Sequence, residues 1–207
     1  MIESFLIDTK IRVRDPKDLL VLPRVIRITT IDEEGASRLT KEVSLAHQAE
    51  QSILPVVIDS EGGEIYSLWT MVDTLESSEI PIATIVTGKA MSAAVALFCC
   101  GAPGYRFIGP HATLMIHDVS SEEVGGKSQE MKANAEETDR LNKQLYEFME
   151  QRIGKRKGHL WRLAQKNARA DLYLTPEEAV KHGIADHIKV PTFKTTVTVE
   201  VKLEFTE

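Results

Sequence analysis

The sequence predicts an α/β fold built on a mostly parallel sheet, and three observations carry that prediction. Between Arg24 and Cys100, short β-branched blocks alternate with segments of helical period, in the order strand, helix, strand, helix, strand, helix. Two of those strands run directly into glycine-bearing segments, Ser60–Glu61–Gly62–Gly63 and Gly88–Lys89–Ala90–Met91–Ser92. Parallel strands joined by right-handed crossovers bring such post-strand loops to one edge of the sheet, where they can face each other and hold a site.

In chain order, Phe5, Ile7, Thr9, Ile11 and Val13 alternate with more polar residues, as in a half-buried strand, until Asp15–Pro16–Lys17 breaks the pattern. Arg24–Ile28 reads as the next strand and Asp32–Gly35 as a turn. Leu39, Val43, Ala46, Ala49 and Ile53 recur at helical spacing. Pro55–Asp59 is a short buried strand, and Ile65, Leu68, Trp69, Val72 and Leu75 mark an amphipathic helix. Ile80–Val86 reads as a strand. Ala93–Cys100, apolar on every side, reads as a buried helix stopped by Gly101 and Pro103. Tyr105–Ile108 and Thr113–His117 add two more strands.

From Ser128 to Gly154 runs one long helix with a stripe of Met131, Ala135, Thr138, Leu141, Leu145, Phe148 and Ile153. About twenty-five helical residues reach roughly 38 Å, longer than a small domain is thick. Such a helix either packs along its whole length or projects, with its stripe against another subunit. A further helix lies around Gly158–Ala168. Thr175–Pro176–Glu177–Glu178 is a capping box with proline at the first helical position, opening a short helix that Gly183 closes. Val197, Val199, Val201, Leu203 and Phe205 alternate as a terminal strand, expected to pair with Phe5–Val13. The expected organisation is an N-terminal extension over 1–23, a domain over 24–190 and a C-terminal strand extension over 191–207.

Composition narrows the function. At 207 residues the chain is long enough for one domain with a substantial core. A net charge of −6 argues against nucleic acid or an anionic membrane surface as partner. The Met1–Ser4 start lacks a basic segment before an apolar run, and the longest apolar run is far too short to span a bilayer. The only cysteines, Cys99 and Cys100, are neighbours in one buried helix and cannot staple distant parts of the fold. The expectation is a soluble, cytoplasmic protein.

Ser92 stands where a strand turns into a helix, among small residues. That geometry exposes a side chain and aims the first helical N–H groups at whatever it attacks. Two roles are open to it, helix cap or nucleophile. A nucleophilic hydroxyl needs a base, itself oriented by a carboxylate. Of the six histidines, His47, His159, His182 and His187 lie in polar helical or turn contexts and read as surface residues, and His111 as a turn residue. His117 ends an apolar strand and would emerge at the sheet edge, as a satisfied core histidine or as a base. Asp171 lies among Ala168, Ala170, Leu172 and Tyr173, where a buried carboxylate would need a partner; a helix-end cap is the plainer role. Asp118 adjoins His117, but successive strand side chains point to opposite faces, so it is discounted as the orienting acid.

Gly88–x–Ala90–x–Ser92, Leu114–Met115–Ile116–His117 and Asp171–x–Tyr173–Leu174–Thr175–Pro176–Glu177–Glu178–Ala179 resemble, in order, the three catalytic motifs of the Clp protease proteolytic subunit. Ser60–x–Gly62–Gly63 resembles that family's oxyanion-hole loop, and the resemblance covers roughly Arg24 to Ile188. It implies a ClpP/crotonase-like fold with a long projecting helix. It also implies Ser92 as nucleophile, His117 as general base then acid, Asp171 as orienting carboxylate, and the backbone N–H groups of Gly63 and Ala93 as oxyanion hole. No metal or other cofactor is implied. The family's subunits form two stacked heptameric rings that enclose a chamber, and unfolded polypeptide is passed in by a ring-shaped Clp ATPase. Accordingly the chain has no phosphate-cradling glycine loop ending in Lys–Ser or Lys–Thr.

The sequence departs from the family at Glu61, where proline is usual, and at Pro55 and Val57, where aromatic residues usually help form the ATPase docking pocket. The family's axial loops are not recognisable in Met1–Pro23, the proline after the histidine is missing, and the terminal strand is extra. Three other readings compete: a crotonase-type acyl-CoA enzyme, which needs no Ser–His–Asp set; a Ser–Lys peptidase using Lys89; and an inactive ring subunit. An α/β-hydrolase fits worse, since the elbow is not Gly–x–Ser–x–Gly and the chain order differs.

Overall fold

The computed structural model describes residues 22–120, 127–166 and 171–194. The strands expected at Phe5–Val13 and Val197–Phe205 lie outside these residues. The elements are β1 (Ile26–Ile28), α1 (Glu33–Gln48), β2 (Leu54–Ser60), α2 (Ile65–Glu76), β3 (Ile82–Met91), α3 (Ala93–Phe98), β4 (Arg106–Ile108), β5 (Thr113–Ile116), α4 (Ser128–Arg152), α5 (His159–Lys166), β6 (Leu172–Leu174), α6 (Pro176–His182) and β7 (His187–Ile188).

Strands β1–β2–β3–β4–β7 form a parallel path, as the strand–helix alternation predicts. The sheet then forks at β3. Its first half, Thr84–Val86, pairs with β4, and its last residues, Lys89–Met91, pair in parallel with β5. Antiparallel β6 continues from β5. The segment Gly88–Met91 is therefore strand, where the sequence suggested a loop. Gly88 sits at φ 87°, which lets the chain kink at the fork and keep pairing. The Asp32–Gly35 turn is likewise the opening of α1: the Asp32 carboxylate accepts the Gly35 N–H at 2.7 Å as an N-cap.

The largest core cluster lies where α1, α2 and α3 cover the sheet, with Ile28, Leu39, Ile58, Leu68, Met71, Leu97 and Phe98 all fully buried. Each such side chain contributes about 1.5–3 kcal/mol through removal from water. Alternation along the strands puts Val57, Ala83, Ile85 and Phe107 on the opposite face, in a smaller cluster with Ile53. At the far edge Arg106 makes a two-pronged pair with Asp186, at 3.0 and 2.7 Å, and ties β4 to the approach to β7.

Helix α4 is divided. Leu141, Leu145, Tyr146, Met149 and Glu150 in its last three turns are buried within the subunit, whereas Met131 and Ala135 are exposed. Its C-terminal end is fixed by Arg152, which donates to the carbonyls of Cys99 and Cys100 at 3.3 and 2.8 Å. The buried Glu150 carboxylate accepts backbone N–H groups of Gly158, Leu160 and Trp161, supplying a cap to α5 from a neighbouring helix. Packing along the whole length is excluded: only the C-terminal half belongs to the core. The capping box of α6 forms as expected, with Gly183 closing the helix at φ 79°.

Candidate active site

Strand register brings the predicted residues together. Met91 pairs with Met115 across the parallel β3–β5 ladder, so Ser92 and His117 leave adjacent strands within about one residue of each other. The Ser92 N–H closes that ladder on the Met115 carbonyl at 2.7 Å. Ile116 pairs with Leu172 across the antiparallel β5–β6 ladder, so His117 and Asp171 are the next facing pair. Three residues remote in sequence thus meet where the sheet forks.

Ser92 adopts φ 55°, ψ −126°, a left-handed turn that a non-glycine residue holds at a cost of about 1–3 kcal/mol. Its side chain makes no cap hydrogen bond to α3. Instead its Oγ lies 2.7 Å from His117 Nε2, a full-strength hydrogen bond. That contact decides against the helix-cap role. His117 Nδ1 and Asp171 Oδ1 are 3.9 Å apart, an ion-pair separation that is too long for a hydrogen bond. The Asp171 side chain is 49% exposed, so the apolar burial expected from its sequence neighbours does not hold within one subunit.

The glycine pair comes to the same place through a register shift between Ile58 and Ser60. Gly63 forms a parallel bridge with Ile31, in which the Gly62 carbonyl and the Glu64 N–H are the groups bonded to Ile31. By that pattern the Gly63 N–H is turned away from Ile31. A Cβ on Gly62 would come within 2.9 Å of Ser92 Cβ and 3.3 Å of the Ala93 nitrogen, which shows how closely this backbone approaches the elbow. Ala93 opens α3, so its N–H is one of the helix's unbonded first-turn donors. Gly63, Ile65, Tyr66, Ser92, Ala93, His117, Val119 and Leu145 line one cleft of about 540 Å³. Tyr66 at its rim donates to Glu137 of α4 at 2.9 Å. The Arg140 guanidinium, and then the Tyr66 hydroxyl, hold the Glu137 carboxyl down at about 2.

Lys89 does not serve Ser92: its ammonium pairs with Glu61 at 2.6 Å, and that contact lowers the Glu61 pKa and raises that of Lys89. Asp118 points away as expected, accepting from the Tyr146 hydroxyl. Among the other histidines, His47 is exposed as its polar context predicts and bonds Ser78, while His187, which the sequence places at the surface, is half-buried because its ring stacks on Phe107. His159 and His182 were expected at the surface, but both are half-buried, with ring nitrogens 3.2 Å apart. Desolvation is the first cause that lowers both their pKa values. Sequence reading missed Asn142 and Tyr146, which bond the two residues after His117, because no local period marks a long-range polar contact.

Among the described residues no cluster of three or more His, Cys, Asp or Glu is arranged to hold a metal ion. No described helix is long and apolar enough to cross a membrane.

Residues 9–192 match the Clp protease family. The chain is 27% identical to ATP-dependent Clp protease proteolytic subunit 1 of Corynebacterium diphtheriae, over 77% of this chain and 75% of that protein. It is 29% identical to the ATP-dependent Clp protease proteolytic subunit of Porphyromonas gingivalis, over 82% of this chain and 75% of that one. Among solved structures, a ClpP1 point mutant from Listeria monocytogenes superposes with a TM-score of 0.72 at 21% identity, covering 85% of this chain and 96% of its own. At that identity the superposition speaks for the fold, while the sequence match takes in every segment that meets at Ser92. The chain belongs to the Clp protease family.

Proposed function

We propose that this chain is a serine endopeptidase that cleaves unfolded polypeptides through Ser92, His117 and Asp171. The observation that carries the reading is the 2.7 Å hydrogen bond between Ser92 Oγ and His117 Nε2, made by a serine held in a strained strand-to-helix turn. His117 removes the hydroxyl proton as Ser92 Oγ attacks the peptide carbonyl, then returns it to the leaving amine. Asp171 faces the other ring nitrogen and stabilises the imidazolium that forms between those steps. The N–H groups of Gly63 and Ala93 receive the oxyanion of the tetrahedral intermediate. Water then attacks the acyl-serine with His117 again as base, releasing the acid and restoring the hydroxyl. Ile65, Val119 and Leu145 give the cleft an apolar wall for substrate side chains.

The likeness to proteolytic subunits supports assembly into stacked heptameric rings, whereas delivery of substrate by a Clp-type ATPase would have to use a docking surface that departs from the family at Pro55 and Val57. In this reading the peptidase domain spans 24–190, with the remaining residues as extensions, and it works in a reducing cytoplasm where Cys99 and Cys100 stay free. The test is labelling with a fluorophosphonate, followed by mapping of the modified residue. Labelling at Ser92, with loss of both label and peptide turnover in Ser92→Ala, is expected. Ordinary turnover by Ser92→Ala overturns the mechanism.

A further inference from the structure

The ladders that bring His117 to Ser92 end before His117 itself. β5 stops at Ile116, whose partner Leu172 is the last of the β5–β6 register. The chain beyond is gripped from another direction, by α4. Asn142 Oδ1 accepts the Val119 N–H at 2.6 Å, and Tyr146 donates its hydroxyl to Asp118 Oδ1 at 3.0 Å. Asn142 and Tyr146 are one helical turn apart and therefore share a face. His117 bonds Ser92 while Asp118 bonds Tyr146, so the two contacts lie on opposite sides of one short segment.

The grip is built on a firm base. Tyr146 is only 3% exposed, and its ring sits in the main core cluster. A hydroxyl buried that deeply needs a partner, and a carboxylate makes the bond charge-assisted. Burial first, then the Asp118 charge, push the Tyr146 phenol above its usual pKa, so it remains a donor throughout the neutral range. The same stretch of α4 is anchored from below by Arg152 and Glu150. A shift of α4 along its axis would pull directly on Asp118 and Val119, and through them on the imidazole.

Resting on the serine-peptidase reading, we propose that Asn142 and Tyr146 are positioning residues that hold His117 against Ser92.

The experiment compares Tyr146→Phe, which keeps the ring, Asn142→Leu, which keeps size but removes the acceptor, and Asn142→Asp, which keeps an acceptor. Each is made in the full chain and examined as the native assembly. Tyr146→Phe and Asn142→Leu are expected to lower kcat and the fluorophosphonate labelling rate about 10–100-fold, the effect of a base misplaced by about an ångström. For Tyr146→Phe, whose contact is to Asp118 outside the cleft lining, KM should stay within about twofold, so that the loss falls on kcat. Asn142→Asp should recover most of the Asn142→Leu loss. In crystals of the two impaired variants, the Ser92–His117 separation should exceed about 3.5 Å, beyond hydrogen bonding. Wild-type labelling and an intact Ser92–His117 bond in Tyr146→Phe overturn the proposal, as does failure of Asn142→Asp to recover. If the wild-type protein is not labelled at Ser92, the peptidase reading falls, and the Ser92–His117 distance in the variants still decides the positioning role.

Discussion

Gly63 illustrates how tightly single residues are specified around Ser92. A Cβ there would collide with the Ile31 carbonyl oxygen, and its φ of 149° is one that L side chains rarely adopt. Gly63→Ala must therefore move the loop and carry the N–H away from the oxyanion position. We expect kcat to fall on the order of 10²–10³, the usual loss for one such donor, while Ser92 remains present. Steady-state kinetics on a short peptide check this, and turnover within a few-fold of wild type would remove Gly63 from the site. In the sequence the local setting marks Ser92 and His117 only as candidates, cap or nucleophile and core histidine or base, and it is the ordered set of motifs resembling the family that singles them out together with the glycine pair. The setting of Asp171 was legible only in part. Its apolar neighbours suggested burial, yet it stands at the open end of the β5–β6 ladder, half exposed.

At the scale of elements, what sequence missed is what depends on a distant partner. Ile80–Val86 reads as a finished strand because Thr87–Gly88 looks like its end. The strand continues to Met91 because β5 is there to pair with it. His159 and His182 read as surface residues because each has polar neighbours, but α5 and α6 bring their rings together. Lys155, Arg156 and Arg162 add positive charge around His159, as do Lys181 and Lys155 around His182, opposed by Glu150 and Glu178. Both pKa values are lowered, so folding favours the neutral rings. The stability this contact provides is present above the unfolded value of about 6.5 and lost as pH falls through the lower folded values. Thermal midpoints should therefore drop on acidification below about pH 6.5, and His159→Gln should flatten that dependence. An unchanged pH profile in His159→Gln would show that the pair does not titrate with folding.

At the scale of the whole molecule, α4 links the interior of one subunit to a surface that the subunit does not cover. Its stripe suggested Leu141 and Leu145 as intersubunit residues, but both are buried within their own chain, Leu145 at 4% exposure in the main core. A charge at Leu145 is consequently a folding defect, of about 4 kcal/mol or more, and says nothing about assembly. Met131, 52% exposed on the other half of the helix, is the position that separates the two effects. A subunit of 23.1 kDa in the proposed rings sediments as a particle many times heavier. Met131→Glu places a charge on the projecting half, where a partner helix would bury it unpaired. We expect that variant to keep the wild-type circular dichroism and melting cooperativity of its subunit while sedimenting as smaller species. Leu145→Glu is expected to lose both fold and particle. A wild-type protein that sediments as a monomer at micromolar concentration, or a Met131→Glu variant indistinguishable from it in size, would leave the exposed half of α4 without an assembly role.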